Sequence, residues 1–151
     1  MVSIAIGCDE AAFEMKEVMR DYVKSLGHEI EDYGVYDTTP VLYPDIAVKV
    51  AQAVAEGKHE RGILICGTGI GMAISANKVP GIRAAQCHDP YSAERSRKSN
   101  NAQIMTMGSR IIGIELAKML VAIWLDSEFQ GGRSQPKVDK MIEYDTQFRR
   151  E

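Results

Sequence analysis

Cys66 ends an apolar run, Gly62-Ile63-Leu64-Ile65-Cys66, that breaks into the glycine-rich turn Gly67-Thr68-Gly69-Ile70-Gly71-Met72. A thiol is a nucleophile or a general base, and alternate glycines let successive backbone N–H groups converge on one spot beside it. The run itself reads as a strand buried on both faces, and Ile70 to Asn77 as the first turns of a helix whose N-terminus attracts anions. The turn is not a dinucleotide fingerprint, because Met72 stands where the third glycine would be. Nor is it a P-loop, since no Lys-Ser/Thr follows. Alone, it fits glycines placed for strand–helix packing as well as it fits an anion site. A thiol closing an apolar run is most often buried and inert; a helix N-terminus argues the other way by favouring the thiolate. Cys8 and Cys87 close strands without such a turn and read as inert.

Two other groups carry charge near strand ends or turns. Asp9, just after the first strand, is either an orienter of polar groups or a helix N-cap. Gly131-Gly132-Arg133-Ser134-Gln135-Pro136-Lys137 sets two cations four residues apart, close to one helix turn. That pair is a solvated surface or a phosphate clamp, and the spacing leaves both open.

Strand-like and helix-like patterns alternate around these residues. The predicted strands are Val2 to Gly7, His28 to Tyr33, the Cys66 run, Ile82 to Gln86 and Gln103 to Met107. The first helix carries Met15, Met19, Tyr22 and Leu26 at helical spacing and stops at Gly27; the second, after Tyr43-Pro44, faces inward with Ile46, Val50, Ala53 and Val54. Helices follow over Pro90 to Lys98 and Gly113 to Leu125, and a polar helix runs from Pro136 onward. Five βα units predict an α/β three-layer sandwich with a five-stranded parallel sheet and a C-terminal helix, as one domain over 1–151. Ligands bind such sheets at the carboxyl ends of the strands. Cys8, Asp9, Glu10, Cys66, Thr68, Cys87, His88 and Asp89 fall there, whereas His28 and His59 precede strands and read as plain surface residues.

Composition excludes several classes. With 151 residues, 45% hydrophobic and 26% charged, the chain can bury a sizeable core. A net charge of −3 without a basic stripe gives nucleic acid no electrostatic support. Three cysteines without CxxC spacing argue against disulfides and zinc, so a reducing cytoplasm is expected. The most apolar stretch, Ile111 to Leu125, is interrupted by Glu115 and Lys118, so no membrane span is expected. The opening Met1 to Cys8 lacks the basic and long apolar regions of an export signal.

Taken together, the residues resemble the ribose-5-phosphate isomerase B / galactose-6-phosphate isomerase family of sugar-phosphate isomerases, essentially end to end. The landmarks are Gly7-Cys8-Asp9, Tyr43-Pro44, Cys66-Gly67-Thr68-Gly69-Ile70-Gly71 and Ala76-Asn77-Lys78-Val79-Pro80-Gly81-Ile82-Arg83. Asn100-Asn101-Ala102, Gly108-Ser109-Arg110, Glu115-Leu116-Ala117 and Gly131-Gly132-Arg133 follow in order. The resemblance implies metal- and cofactor-independent aldose–ketose interconversion through a cis-enediolate, with ribose 5-phosphate and ribulose 5-phosphate as the leading pair. It implies a Rossmann-like sheet and a homodimer whose sites combine both subunits, with a tetramer left open. Carried over, Cys66 is the base, while Thr68 and the amides of Gly67, Gly69, Ile70, Gly71 and Met72 stabilise the oxyanion. Asp9, Tyr43 and Asn100 hold sugar hydroxyls; Arg110, Arg133 and Lys137 grip the phosphate, some of them from the partner subunit.

The chain departs from the family at three of these positions. Lys137 stands where an arginine is common and lacks the bidentate fork. Glu10 stands where the family has a histidine and is expected to accept from hydroxyls or to pair with Lys137. Ser99 replaces the histidine associated with opening the furanose ring, and a hydroxyl cannot shuttle protons near neutral pH. A tetrose 4-phosphate cannot close a furanose, because the oxygen it needs is esterified. An erythrulose/erythrose 4-phosphate isomerase is therefore a rival, and a hexose 6-phosphate enzyme a third option, unless His88 compensates. A non-catalytic phosphate-binding domain is the alternative from another class.

Overall fold

Ile4, Ala5 and Ile6 in one strand and Ile63, Leu64 and Ile65 in another point to alternate sides, yet all six are fully buried. Both faces of the central strands must therefore be covered, which is the condition for a parallel sheet between helical layers. The computed structural model, which describes residues 2–149, meets that condition. Its elements are β1 (Ser3–Cys8), α1 (Phe13–Ser25), β2 (Glu29–Asp32), α2 (Tyr43–Ala55), β3 (Arg61–Cys66), α3 (Ile70–Ala76) and β4 (Ala84–Gln86). They continue with α4 (Pro90–Lys98), β5 (Ile104–Gly108), α5 (Ile114–Asp126) and α6 (Gln135–Phe148).

The five strands lie in the order β2-β1-β3-β5-β4 and pair in parallel throughout. Helices α2 and α3 pack together on one face, and α1, α5 and α4 on the other. The strand order reverses between β1 and β3, so the crevice at their carboxyl ends is the switch point where such sheets bind ligands. Register sets Cys8 opposite Ile65, and Cys66 opposite Gly108 of β5. Sheet position alone thus gathers Cys8, Asp9 and Cys66 at one edge. Among the described residues no helix is long and apolar enough to cross a membrane.

Three local readings need correction. The buried stripe of α1 is Met15, Lys16, Met19 and Val23, whereas Tyr22 is half-buried and Leu26 exposed. Lys16 sits in that stripe because its ammonium reaches Asp32 at 2.6 Å and the Val35 carbonyl at 2.7 Å. Burial works to lower its pKa, but Asp32 and Glu17 overcome that and hold it above the ordinary range. His59 is not a surface residue; it is buried, with Nδ1 at 2.8 Å from Ser3 Oγ and Nε2 at 2.8 Å from the Tyr33 hydroxyl. Helix α6 is not simply polar, since Met141, Ile142, Tyr144 and Phe148 lie exposed along it.

Candidate active site

Strand β3 delivers Cys66 to the sheet edge nearly buried, at 4% exposure. The chain then turns tightly against the end of β5. Gly69 has φ +80°, and a Cβ there would stand 2.8 Å from the Met107 carbonyl carbon, so only glycine fits on both counts. Thr106, fully buried, fastens the turn by donating its hydroxyl to the Gly69 carbonyl at 2.8 Å. The Gly69 N–H donates to Cys66 Sγ at 3.1 Å, and the Ile70 N–H to Thr68 Oγ1 at 3.2 Å. Two amides expected to face substrate are thus aimed at the two side chains expected to do the chemistry. The first backbone bond back into α3 is Ala73 N–H to the Gly69 carbonyl, which leaves the Gly71 and Met72 amides at the open end.

Neighbouring elements close around this turn. Tyr43, the first residue of α2, lays its hydroxyl over Gly71 so closely that a Cβ there would collide with it. Arg110 follows β5, donates its N–H to the Gly67 carbonyl at 3.0 Å, and places its guanidinium 3.5 Å from where a Gly67 Cβ would stand. Asp9 accepts the Ala12 N–H at 3.1 Å and so caps a single 3-10 turn, Glu10–Ala12. Burial, then Glu10, pushes its carboxyl above the ordinary range against the pull of the Ala12 and Ala11 amides and Arg110. Glu10 accepts the Val41 N–H at 3.3 Å, so within one chain it ties down the loop before Tyr43 and does not pair with Lys137. Cys8 and Cys87 are buried; desolvation pushes Cys8 up to about 12 and Cys87 in the same direction.

Four expected residues lie elsewhere. Ser99 and Asn100 end α4 and precede β5, at the opposite edge of the sheet from Cys66. The length of β5, about 13 Å, separates them from it. Arg133 sits in a 3-10 turn, Gly132–Ser134, and Lys137 in the first turn of α6, so they do not share one helix. The Gln130 N–H donates to the Lys98 carbonyl at 3.2 Å and moors this segment beside Ser99. One chain thus carries two groups of candidate residues at opposite edges.

His88 is engaged. Its Nε2 accepts the Gly108 N–H at 2.9 Å, and burial lowers its pKa despite Asp89 nearby. A lowered imidazole pKa contributes stability that is present above the usual value of 6.5 and lost as pH falls through the folded value. Urea unfolding of the wild type is therefore expected to show stability falling from pH 7 towards 5, and His88→Gln is expected to flatten that dependence. Sequence reasoning missed Thr106 and also Gln86, whose side-chain amide donates to the Thr68 carbonyl at 2.7 Å. Both lie in strands neighbouring the turn, a signal that existed only once strand order was known. Among the described residues no three His, Cys, Asp or Glu side chains cluster as a metal site would need.

The family model for ribose/galactose isomerases matches residues 4–141. The chain is 57% identical over 149 residues to the D-erythrulose-4-phosphate isomerase of Pectobacterium atrosepticum, covering 97% of each. It is also 57% identical over 148 residues to the ribose-5-P isomerase B of Listeria innocua, covering 98% of this chain and 100% of that one. The ribose-5-phosphate isomerase B structure of Clostridium thermocellum superposes with a TM-score of 0.95 at 45% identity, covering 97% of this chain and 99% of that one.

Proposed function

Since the chain belongs to the ribose/galactose isomerase family and is a sugar-phosphate isomerase, we propose that its substrate pair is erythrulose 4-phosphate and erythrose 4-phosphate. The observation that carries this reading is the commitment of all three histidines. His28 Nδ1 accepts the Val2 N–H, His59 is bonded through both ring nitrogens, and His88 Nε2 accepts the Gly108 N–H. With Ser99 in the ring-opening position, that step would fall to His88, whose Nε2 is taken by the Gly108 N–H. A tetrose 4-phosphate is already open-chain and needs no such step. The 57% identity to an erythrulose-4-phosphate isomerase supports the same choice, although a ribose-5-P isomerase B is equally identical.

In this reading Cys66, as thiolate, removes a proton from C1 of the ketose. The C–H electron pair becomes the C1=C2 bond and the carbonyl oxygen becomes the enediolate O⁻. Thr68 and the open-end amides of Gly71 and Met72 stabilise that charge. A proton passes between the two enediolate oxygens, and Cys66 returns its proton to C2 to give the aldose. Asp9 and Tyr43 hold hydroxyls, and Arg110 faces the phosphate. Ser99, Asn100, Arg133 and Lys137 come from the partner of a homodimer, because within one chain they stand at the far edge of the sheet.

Turnover on a panel of tetrose, pentose and hexose phosphates tests the substrate. We expect kcat/KM for erythrulose 4-phosphate to exceed that for ribose 5-phosphate by about tenfold or more, the scale of one acid–base contribution or less. Ser99→His is expected to raise ribose 5-phosphate turnover. A wild type that prefers ribose 5-phosphate would return the assignment to the pentose pair.

A further inference from the structure

Ser99 and Asn100 are presented by a turn that two arginines hold from beneath. Asn101 has φ +49°, the only positive φ among the described non-glycine residues, so this turn needs bracing. Arg97, 6% exposed, donates Nη1 to the Ala102 carbonyl at 2.8 Å and to Asn101 Oδ1 at 3.1 Å. Its Nε reaches the Ser127 carbonyl at 3.3 Å. From the other side, Arg83 Nε donates to the Asn101 carbonyl at 3.0 Å. Among the described residues, neither the Ser99 hydroxyl nor the Asn100 amide side chain has a hydrogen-bond partner in its own chain. The turn is fixed while the two side chains it displays stay free.

Charge pairing does not explain Arg97. Its carboxylate, Glu128, is 3.8 Å away and lies at 2.6 Å from the neighbouring Arg61 instead. A buried guanidinium so loosely paired costs more than an apolar side chain of the same volume. Burial, and then Arg61, lowers its pKa to about 10, which still leaves it charged at neutral pH. Its short bonds all run to backbone or to the Asn101 amide. We propose that Arg97 is a positioning residue, which sets the Asn101 turn so that Ser99 and Asn100 enter the partner's site. This inference rests on the two-edge reading of the site given above.

The test measures kcat and KM of dimeric Arg97→Lys, Asn101→Gly and Asn100→Ala. The assay uses whichever of erythrulose 4-phosphate and ribose 5-phosphate the wild type turns over faster. Lysine keeps the charge but loses the fork, and glycine keeps the positive φ but loses the Oδ1 anchor. Each is expected to raise KM about tenfold with kcat within about twofold, the scale of one charge-assisted hydrogen bond. In an Asn100→Ala background the Asn101→Gly substitution is expected to cost less than it does alone, because the part of its effect that runs through Asn100 is already lost. Effects that multiply with those of Asn100→Ala, or an unchanged KM in either folded variant, would overturn the proposal. Should Arg97→Lys not fold, Asn101→Gly decides alone. If Asn100→Ala itself leaves KM unchanged, the two-edge reading fails, and the positioning role falls with it.

Discussion

Cys66→Ala is expected to lower kcat by about 10³-fold or more while leaving KM within a few-fold, the loss associated with removing a positioned base. The thiol is placed by three independent restraints: the register of β3 against β5, the Gly69 N–H at 3.1 Å, and Thr106 holding that glycine. Truncation at Cys66 removes the sulfur and with it the acceptor of the Gly69 N–H, but leaves the strand register and the Thr106 bond in place. Cys66→Ser keeps a hydrogen-bonding atom but exchanges the thiol for a hydroxyl, a far weaker acid, so it is expected to fall nearly as far. Cys8→Ala and Cys87→Ala are the controls, because burial keeps both of those thiols protonated. Steady-state assays on the wild type's preferred substrate, with thiol alkylation in the presence and absence of that substrate, check this. Activity retained in folded Cys66→Ala would remove the cysteine-base mechanism altogether.

Mixing two inactive variants is expected to restore activity. If Cys66 and Arg133 serve the same site from different subunits, a heterodimer of Cys66→Ala and Arg133→Ala has one site with both defects and one with neither. Random reassociation of equal amounts should then recover about a quarter of wild-type activity from parents that each show almost none, as two-fold symmetry requires. Activity after co-refolding, with composition read by native mass spectrometry, measures it. No recovery in verified heterodimers would place both residues in the same subunit's contribution to each site. That outcome would contradict the placement of the Arg133 segment beside Ser99, at the far edge of the sheet.

Much of this arrangement was legible in the residues themselves. The continuous apolar run before Cys66 and the alternating βα pattern required a covered parallel sheet, because such strands have no polar face to give to water. Gly69 and Gly71 were readable as glycines of a tight turn or of strand–helix packing, and the Met107 backbone and the Tyr43 side chain are the groups that pack on them. Asp9 was open between an orienter of polar groups and an N-cap, and its bond from the Ala12 N–H makes it a cap. Other residues were misread for reasons that are equally physical. Lys16 was invisible in the α1 stripe because a lysine is ordinarily placed outside, and the carboxylates of Asp32 and Glu17 with the Val35 carbonyl make its burial tolerable. His59 looked exposed for the same reason: its partners Ser3 and Tyr33 are 56 and 26 residues away in sequence. Neither separation leaves a local trace.

Sequence alone determined the family, through an order of motifs that matches sugar-phosphate isomerases, and it singled out a thiol and a hydroxyl two residues apart on a glycine turn between a buried strand and a helix. Those features are local, since they depend on backbone freedom at glycine and on side-chain identity. Tertiary structure decided what those residues face. Strand order brought Asp9, Tyr43 and Arg110 to the Cys66 edge and left Ser99, Asn100, Arg133 and Lys137 at the other. It turned the Gly69 and Ile70 amides onto Cys66 and Thr68, and it bound His88 to Gly108. The two amide bonds join residues two and three apart and depend on how the turn is folded, whereas the His88–Gly108 bond and the division between two edges join distant residues and are set by sheet topology and crossover packing.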